Sequence, residues 1–463
     1  MAVQGFAPLI AGTGKVVQLA MQRLWLTGQV LPAGARLTLE HVFQSAEAQA
    51  VEVIYAFVLP RDAALRSFRV SGEGFSVHSE LKETAKALEA YEEGMAKGAL
   101  STLARQYGDG VVNLTIGNLR PGETVTVHLE IMAGVESRDD GFRFRFPFTL
   151  APTYHARARA REVLPGVGEI ELPADEFGDV ILPPFHANAR NLHQVGFDLG
   201  VAMDDLSESA SPSHAVRVRR QDGGVRVSLA TAADVPDRDL VLDARCDAPR
   251  PLVFAGQGMD GRRRFAALIP STSFGVSPNS PRRVVVLLDR SGSMGGEPIQ
   301  QARRAITACL GALDPADQFG LVAFDDRIEN FQPGLADGTK ETRHRAKKFL
   351  DGIDARGGTE LAAGFLEAAR MLSGGGDVLI LTDGQVAGTE EILAQARLSG
   401  IRIHCLGIGS ASQDRFLSLL ARETGGVSRF LTAQERIDLP AVDLFASIGR
   451  PVASGIHVEG ADA

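Results

Sequence analysis

Hydrophobic positions along the chain keep two different periods, and the change between them falls near residue 281. Over residues 30–150 buried-type side chains recur at every second position: Leu37, Leu39, His41 and Phe43; Val125, Val127, Leu129 and Ile131; Phe142, Phe144, Phe146 and Phe148. A period of two puts each set on one face of a strand. One stretch breaks the alternation. Residues 80–104 are rich in Ala, Glu, Lys and Leu and predict a helix, weakened in its second half by Gly94 and Gly98.

Residues 155–280 are less regular. Segments 214–218 and 225–229 flank Gln221, Asp222, Gly223 and Gly224, a hairpin signal, and Pro183, Pro184 and the serines of 207–213 supply loops. This stretch reads as a second β-rich region connecting its neighbours. From residue 282 apolar strands over 284–289, 319–324, 378–381 and 403–408 alternate with amphipathic helices over 299–313, 343–353, 361–372, 390–399 and 413–424. Strands buried on both faces and alternating with helices predict a doubly wound, mostly parallel α/β sheet. In such sheets ligands sit beyond the carboxyl ends of the strands.

Composition narrows the function classes. A chain of 463 residues is long enough for two or three cores. Its longest apolar run, 284–288, is too short to span a bilayer. A net charge of -9, with Arg262, Arg263 and Arg264 as the one tight basic cluster, argues against a nucleic-acid partner. Cys246, Cys309 and Cys405 are odd in number and widely spaced, as expected of reduced core residues. The apolar patch 6–10 lacks a basic n-region, so the expected location is cytoplasmic, or secreted or surface-bound if a leader has been trimmed.

The N-terminal strands carry a set of landmarks: Glu52 to Pro60 (Glu-Val-Ile-Tyr-Ala-Phe-Val-Leu-Pro), Tyr91 to Gly94, Gly117 to Glu123 with its Pro121–Gly122 turn, Phe146–Pro147, and Pro152 to Tyr154. In this order and spacing they resemble the vault protein inter-alpha-trypsin (VIT) domain, which implies a β-sandwich over 15–154. Val58 and Ser45 depart from the family, which usually has Pro and Asn there. The expected architecture is multidomain: the sandwich, the β-rich connection 155–280, the α/β domain 281–450, and a C-terminal strand or truncated next element over 451–463.

The chemistry concentrates in the α/β domain. Asp289, Ser291 and Ser293 follow the first strand, Gly292 allowing a sharp turn; Thr359 precedes a helix; Asp383 ends the strand that starts near residue 378. Each motif taken alone is ordinary turn or capping chemistry. Together they bring five oxygen-bearing side chains to one sheet edge, a set suited to a hard cation such as Mg2+. Without histidine or thiolate, zinc and copper are disfavoured. The set resembles the metal-ion-dependent adhesion site of von Willebrand factor A domains. That resemblance implies Mg2+, with Mn2+ or Ca2+ as substitutes, hydroxyls on or near the ion, and aspartates acting chiefly through water.

With the VIT landmarks, the chain resembles inter-alpha-trypsin inhibitor heavy chains and their bacterial relatives, which implies a non-enzymatic adhesion or protein-interaction scaffold whose metal binds an acidic residue of a partner. The alternative is a structural or regulatory protein whose metal site engages an internal acidic residue. Glu360 beside Thr359 adds a negative charge that opposes an acidic ligand. A hydrolase is disfavoured because the turn before Ser293 has Ser291 where a nucleophile elbow requires glycine. Gly256 to Gly261 fits a dinucleotide-loop string but is followed by a strand, so it predicts a hairpin. Asn113 opens a glycosylation sequon by composition only. His404 and Cys405 predict core packing.

Overall fold

The computed structural model describes residues 19–45, 48–79, 82–107, 110–149, 192–258, 260–274, 280–373, 375–383, 389–409, 414–432 and 435–449. It also describes residues 3–4, 9–10, 159–164, 167–172, 174, 178–182, 185–186, 188, 190 and 457. Apart from His457, the C-terminal strand expected over 451–463 lies outside them, as does the Pro152–Tyr154 landmark. The chain divides into two compact units, residues 1–248 and 249–463.

In the first unit the alternating strands form an eight-stranded sheet. Its order is Val216–Gln221, Gly224–Leu229, Gln194–Val201, Leu19–Leu31, Gly34–Ser45, Thr124–Ala133, Ala64–Gly72 and Phe75–His78. Leu37, Leu39, His41 and Phe43 are buried on one face, as are Val125, Val127, Leu129 and Ile131. Strands Val51–Val58, Val111–Leu119 and Ser101–Gln106 build a second sheet, Gly141–Phe146 and Leu240–Cys246 a third, and all three contribute to one apolar cluster.

The separation drawn near residue 154 needs correction. Gln194–Val201 pairs in parallel with Leu19–Leu31, from Gln194 opposite Arg23 to Val201 opposite Val30. Leu240–Cys246 pairs with Gly141–Phe146. Hydrogen-bonded strands of the connecting region therefore complete the N-terminal sheets, a long-range pairing that local periodicity does not encode. The hairpin at Asp222–Gly223 forms as expected, with Gly223 at φ +74°. The expected helix over 80–104 is shorter, Thr84–Ala96. Gly98 at φ +69° follows its end, and Ser101–Gln106 becomes a strand beside Val111–Leu119. Asn113 is buried, its amide donating to Ile181 O at 2.7 Å and accepting from Ile181 N–H at 2.9 Å, which leaves the sequon no accessible side chain.

The second unit begins with the hairpin Leu252–Gln257 and Arg263–Leu268, which replaces any dinucleotide loop; Met259 in its turn is not described. Its main sheet is built from β1 (Arg283–Asp289), β2 (Gln318–Phe324), β3 (Asp377–Thr382), β4 (Arg402–Ile408) and β5 (Ser428–Leu431), all parallel, in the order β2-β1-β3-β4-β5. Short antiparallel strands extend it at β2. Helices α1 (Glu297–Gly311), α2 (Lys340–Asp351) and α6 (Asp438–Ser447) pack into one apolar cluster. Helices α3 (Leu361–Met371), α4 (Thr389–Ser399) and α5 (Asp414–Glu423) pack into another. Alternate strand residues divide between the two clusters: Val284, Val286 and Leu288 join the first, Val285 and Leu287 the second. This is the doubly wound layering expected of strands buried on both faces.

Cys309 and Cys405 are buried, Cys246 is half-buried, and none is bridged. Among the described residues no helix is long and apolar enough to cross a membrane.

Candidate functional site

Parallel register sets the site at the carboxyl edge of the second unit's sheet. Asp289, the last residue of β1, lies opposite Phe324 of β2, while Leu288 lies opposite Leu381 of β3. Thr382 and Asp383 therefore come up beside Asp289. The Thr382 hydroxyl donates to Asp289 Oδ2 at 2.5 Å, and Ser291 N–H donates to Asp289 Oδ1 at 2.8 Å. Asp289 is fully buried at the floor of the site, Asp383 is buried near it, and Ser293 and Thr359 are half-buried above.

The two serines share one point. Ser291 Oγ lies 3.0 Å from Ser293 Oγ, in a single 3-10 turn over Gly292–Met294 that is anchored by the buried Met294. Gly292 does not use the left-handed region. Its side-chain-free Cα instead faces the Gly357 carbonyl, which a Cβ there would meet at 3.5 Å. The left-handed turns fall at Gly296, φ +83°, and Gly357, φ +70°.

Thr359 sits on the loop before α3. Ordinary capping would have its hydroxyl bonded to a helix amide, but α3 is capped at Glu360 with no side-chain hydrogen bond. Thr359 Oγ1 is shielded from solvent and has no hydrogen-bond partner. A buried hydroxyl without a partner is costly and rare. The loop is held against the serine turn by Gly292 N–H donating to Gly357 O at 3.2 Å.

Burial, followed by the neighbouring Asp383 carboxylate, pushes Asp289 up to about 7, against the pull of its bonds from Thr382 and Ser291. This edge thus offers two carboxylates that oppose each other's charge, a paired couple of serine hydroxyls and, on the adjoining loop, an orphaned threonine hydroxyl. Such a donor set fits a hard divalent cation. Among the described residues no three His, Cys, Asp or Glu side chains gather into a metal-holding group.

Two participants escaped the sequence reading. Thr382 braces Asp289. Asp325, just past the end of β2, is a fully buried carboxylate at the same edge. Burial pushes Asp325 up, yet Arg356, the Arg327 amide and Arg290 outweigh it and hold the carboxyl below its ordinary range. The sequence signal was available, because Asp325 directly follows an apolar strand, much as Asp289 closes one. His404 is not apolar packing alone: Nε2 lies 3.2 Å from Asp377 Oδ1, and Nδ1 accepts from Val427 N–H.

Comparison with known proteins assigns these units. The vault protein inter-alpha-trypsin domain family matches residues 21–131, and the von Willebrand factor type A domain family matches residues 282–430. The chain therefore carries a VIT domain followed by a von Willebrand factor A domain. The chain is 24% identical to von Willebrand factor A domain-containing protein 5A of Rattus norvegicus, over 94% of this chain and 55% of that protein. It is 28% identical to human inter-alpha-trypsin inhibitor heavy chain H4 over 39% of this chain and 21% of that one. It spans about half the length of the von Willebrand factor A relatives it matches. A solved von Willebrand factor type A protein from Catenulispora acidiphila aligns with TM-score 0.34 and 20% identity, over 43% of this chain and 46% of that one.

Proposed function

We propose that the chain is a non-enzymatic binding module whose second unit holds one divalent cation, Mg2+ first, with Mn2+ or Ca2+ as substitutes, at Asp289, Ser291, Ser293, Thr359 and Asp383. The observation that carries this reading is the orphaned, shielded Thr359 hydroxyl, on a loop bonded to the serine turn that follows a buried aspartate whose charge is opposed by a second carboxylate. When bound, the cation supplies an electrophilic point to which a protein partner's carboxylate can attach. Asp289 and Asp383 provide the compensating charge, while the serine pair and Thr359 offer neutral oxygens that leave part of the cation's charge unspent.

Calorimetric titration of Mg2+ or Mn2+ into the intact chain tests the reading. One binding event is expected, lost in Asp289→Ala; absence of binding in the wild type sinks it. Capture of partner proteins with and without chelator then separates an external acidic partner from an internal one. Identical captured sets in both conditions count against metal-dependent recognition of a partner.

A further inference from the structure

Arg290 fills the free position between Asp289 and Ser291, and its side chain turns inward, 2% exposed. A guanidinium removed from water is costly unless its charge is met. Its Nε lies 3.1 Å from Asp325 Oδ2, and its Nη1 pairs with Glu329. Asp325 Oδ2 also accepts from Arg356 Nε at 2.9 Å, and Arg356 Nη2 stands 3.6 Å from Glu329 Oε2. Two cations and two anions thus alternate in a closed ring.

The ring joins three chain segments that backbone bonds also tie together. Arg290 N–H donates to Phe324 O at 3.0 Å, Arg356 N–H to Arg290 O at 2.6 Å, and Glu360 N–H to Asp325 O at 3.0 Å. The fit leaves little slack, since a Cβ at Gly357 would lie 2.7 Å from Asp326 Oδ1. Between Arg356 and Glu360, both fastened, stands Thr359, whose own hydroxyl holds nothing.

We propose that Arg290 and Asp325 are positioning residues: their ring with Arg356 and Glu329 fastens the 356–360 loop to the ends of β1 and β2 and thereby holds Thr359 Oγ1 at the Ser291–Ser293 pair. This rests on the metal-site reading above. A neutral hydroxyl attracts a cation weakly, so its contribution depends on being held in place, as outer partners do for other metal ligands. An ion-pair ring that served stability alone would leave metal affinity untouched.

The test uses the intact chain as wild type, Arg290→Met, Arg290→Lys, Asp325→Asn, Thr359→Ala and the Arg290→Met/Thr359→Ala double variant. Mn2+ affinity is measured by calorimetry well below the unfolding temperature, and amide hydrogen exchange is followed in metal-free protein. Arg290→Met is expected to weaken Mn2+ binding about 10- to 100-fold. It also speeds exchange at residues 356–360 by about tenfold or more while β3 stays protected. Arg290→Lys recovers part of the loss, because lysine keeps the charge but not the fork that reaches two acids. In the Thr359→Ala background the Arg290→Met penalty shrinks to within about threefold, because the hydroxyl being positioned is gone.

The proposal is overturned if Arg290→Met lowers the melting temperature yet leaves Mn2+ affinity and loop exchange at wild-type values, or if its penalty is the same with and without Thr359. Should Arg290→Met fail to fold, Asp325→Asn, which keeps the Arg327 amide bond, is read by the same two measurements. Should the wild type take no Mn2+, the site reading falls and exchange alone decides the ring's role: faster opening of 356–360 supports the fastening, and unchanged opening overturns it.

Discussion

At the scale of single residues, Thr359 is the most informative position in the second unit. Its hydroxyl is shielded and unpartnered, so removing it should relieve a cost in metal-free protein and, on the proposed cation site, weaken the response to Mg2+. Thr359→Val is therefore expected to leave metal-free stability unchanged or raised by up to about 1 kcal/mol. The same variant should abolish the melting shift that Mg2+ produces in the wild type. Paired thermal melts with and without Mg2+ check both signs, and a metal-free loss of stability with an intact Mg2+ shift would contradict the assignment.

His214 in the first unit allows a pH prediction. Burial, followed by the nearby Arg238, holds its pKa down at about 4, and its ring packs edge-on against Phe148 and Phe197 while Nδ1 meets Ser213 Oγ at 2.8 Å. The folded unit keeps this ring neutral, whereas the unfolded chain protonates it near 6.5. Between those values the unfolded state binds more protons, so stability is lost as pH falls from about 6.5 toward 4. His41, also buried and lowered, adds in the same direction. Urea unfolding of the first unit across this window should show the decline, with a shallower slope in His214→Gln.

At the scale of elements, Asn113 shows how a strand is pinned by a side chain. Its two hydrogen bonds to Ile181 tie Val111–Leu119 to the described stretch 178–182. Asn113→Ala strands a backbone donor and acceptor, and is expected to cost roughly 2–4 kcal/mol in urea unfolding. A cost within ~0.5 kcal/mol would mean that water replaces the amide. Strand Gly141–Phe146 carries a second lesson. Phe142, Phe144 and Phe146 were legible from their period, yet Arg143 and Arg145 between them are buried too. Arg143 makes two 2.7 Å bonds to Asp243, and Arg145 one of 2.8 Å to Asp239. Alternation distinguishes apolar from charged positions; it does not distinguish water from a buried carboxylate across the sheet.

At the scale of the molecule, the division at residue 248 makes a prediction about fragments. Residues 1–248 and 249–463 expressed separately should each unfold cooperatively, and the second should retain divalent-cation binding. Residues 15–154 alone should not, because they lack Gln194–Val201 and Leu240–Cys246, which complete their sheets. Circular dichroism melts of the three fragments check this; a sharp transition for 15–154 would show that the later strands are additions to an independent core.

What could be read from the chain alone was local. Period two and period 3.6 identified the strands and helices, and buried runs bounded by helices implied the parallel sheet. A sheet of that kind sends the strand ends Asp289 and Asp383 to one edge by rule, whereas Thr359, on a loop between helices, was singled out only together with the resemblance to the adhesion site. Tertiary structure alone decided which distant segments meet. It joined residue 23 to residue 194, carried Asp325 to the floor beside Arg290, and left Thr359 without a partner. Those outcomes depend on pairing across long sequence separations and on how charges are met after burial, and neither leaves a period in the sequence.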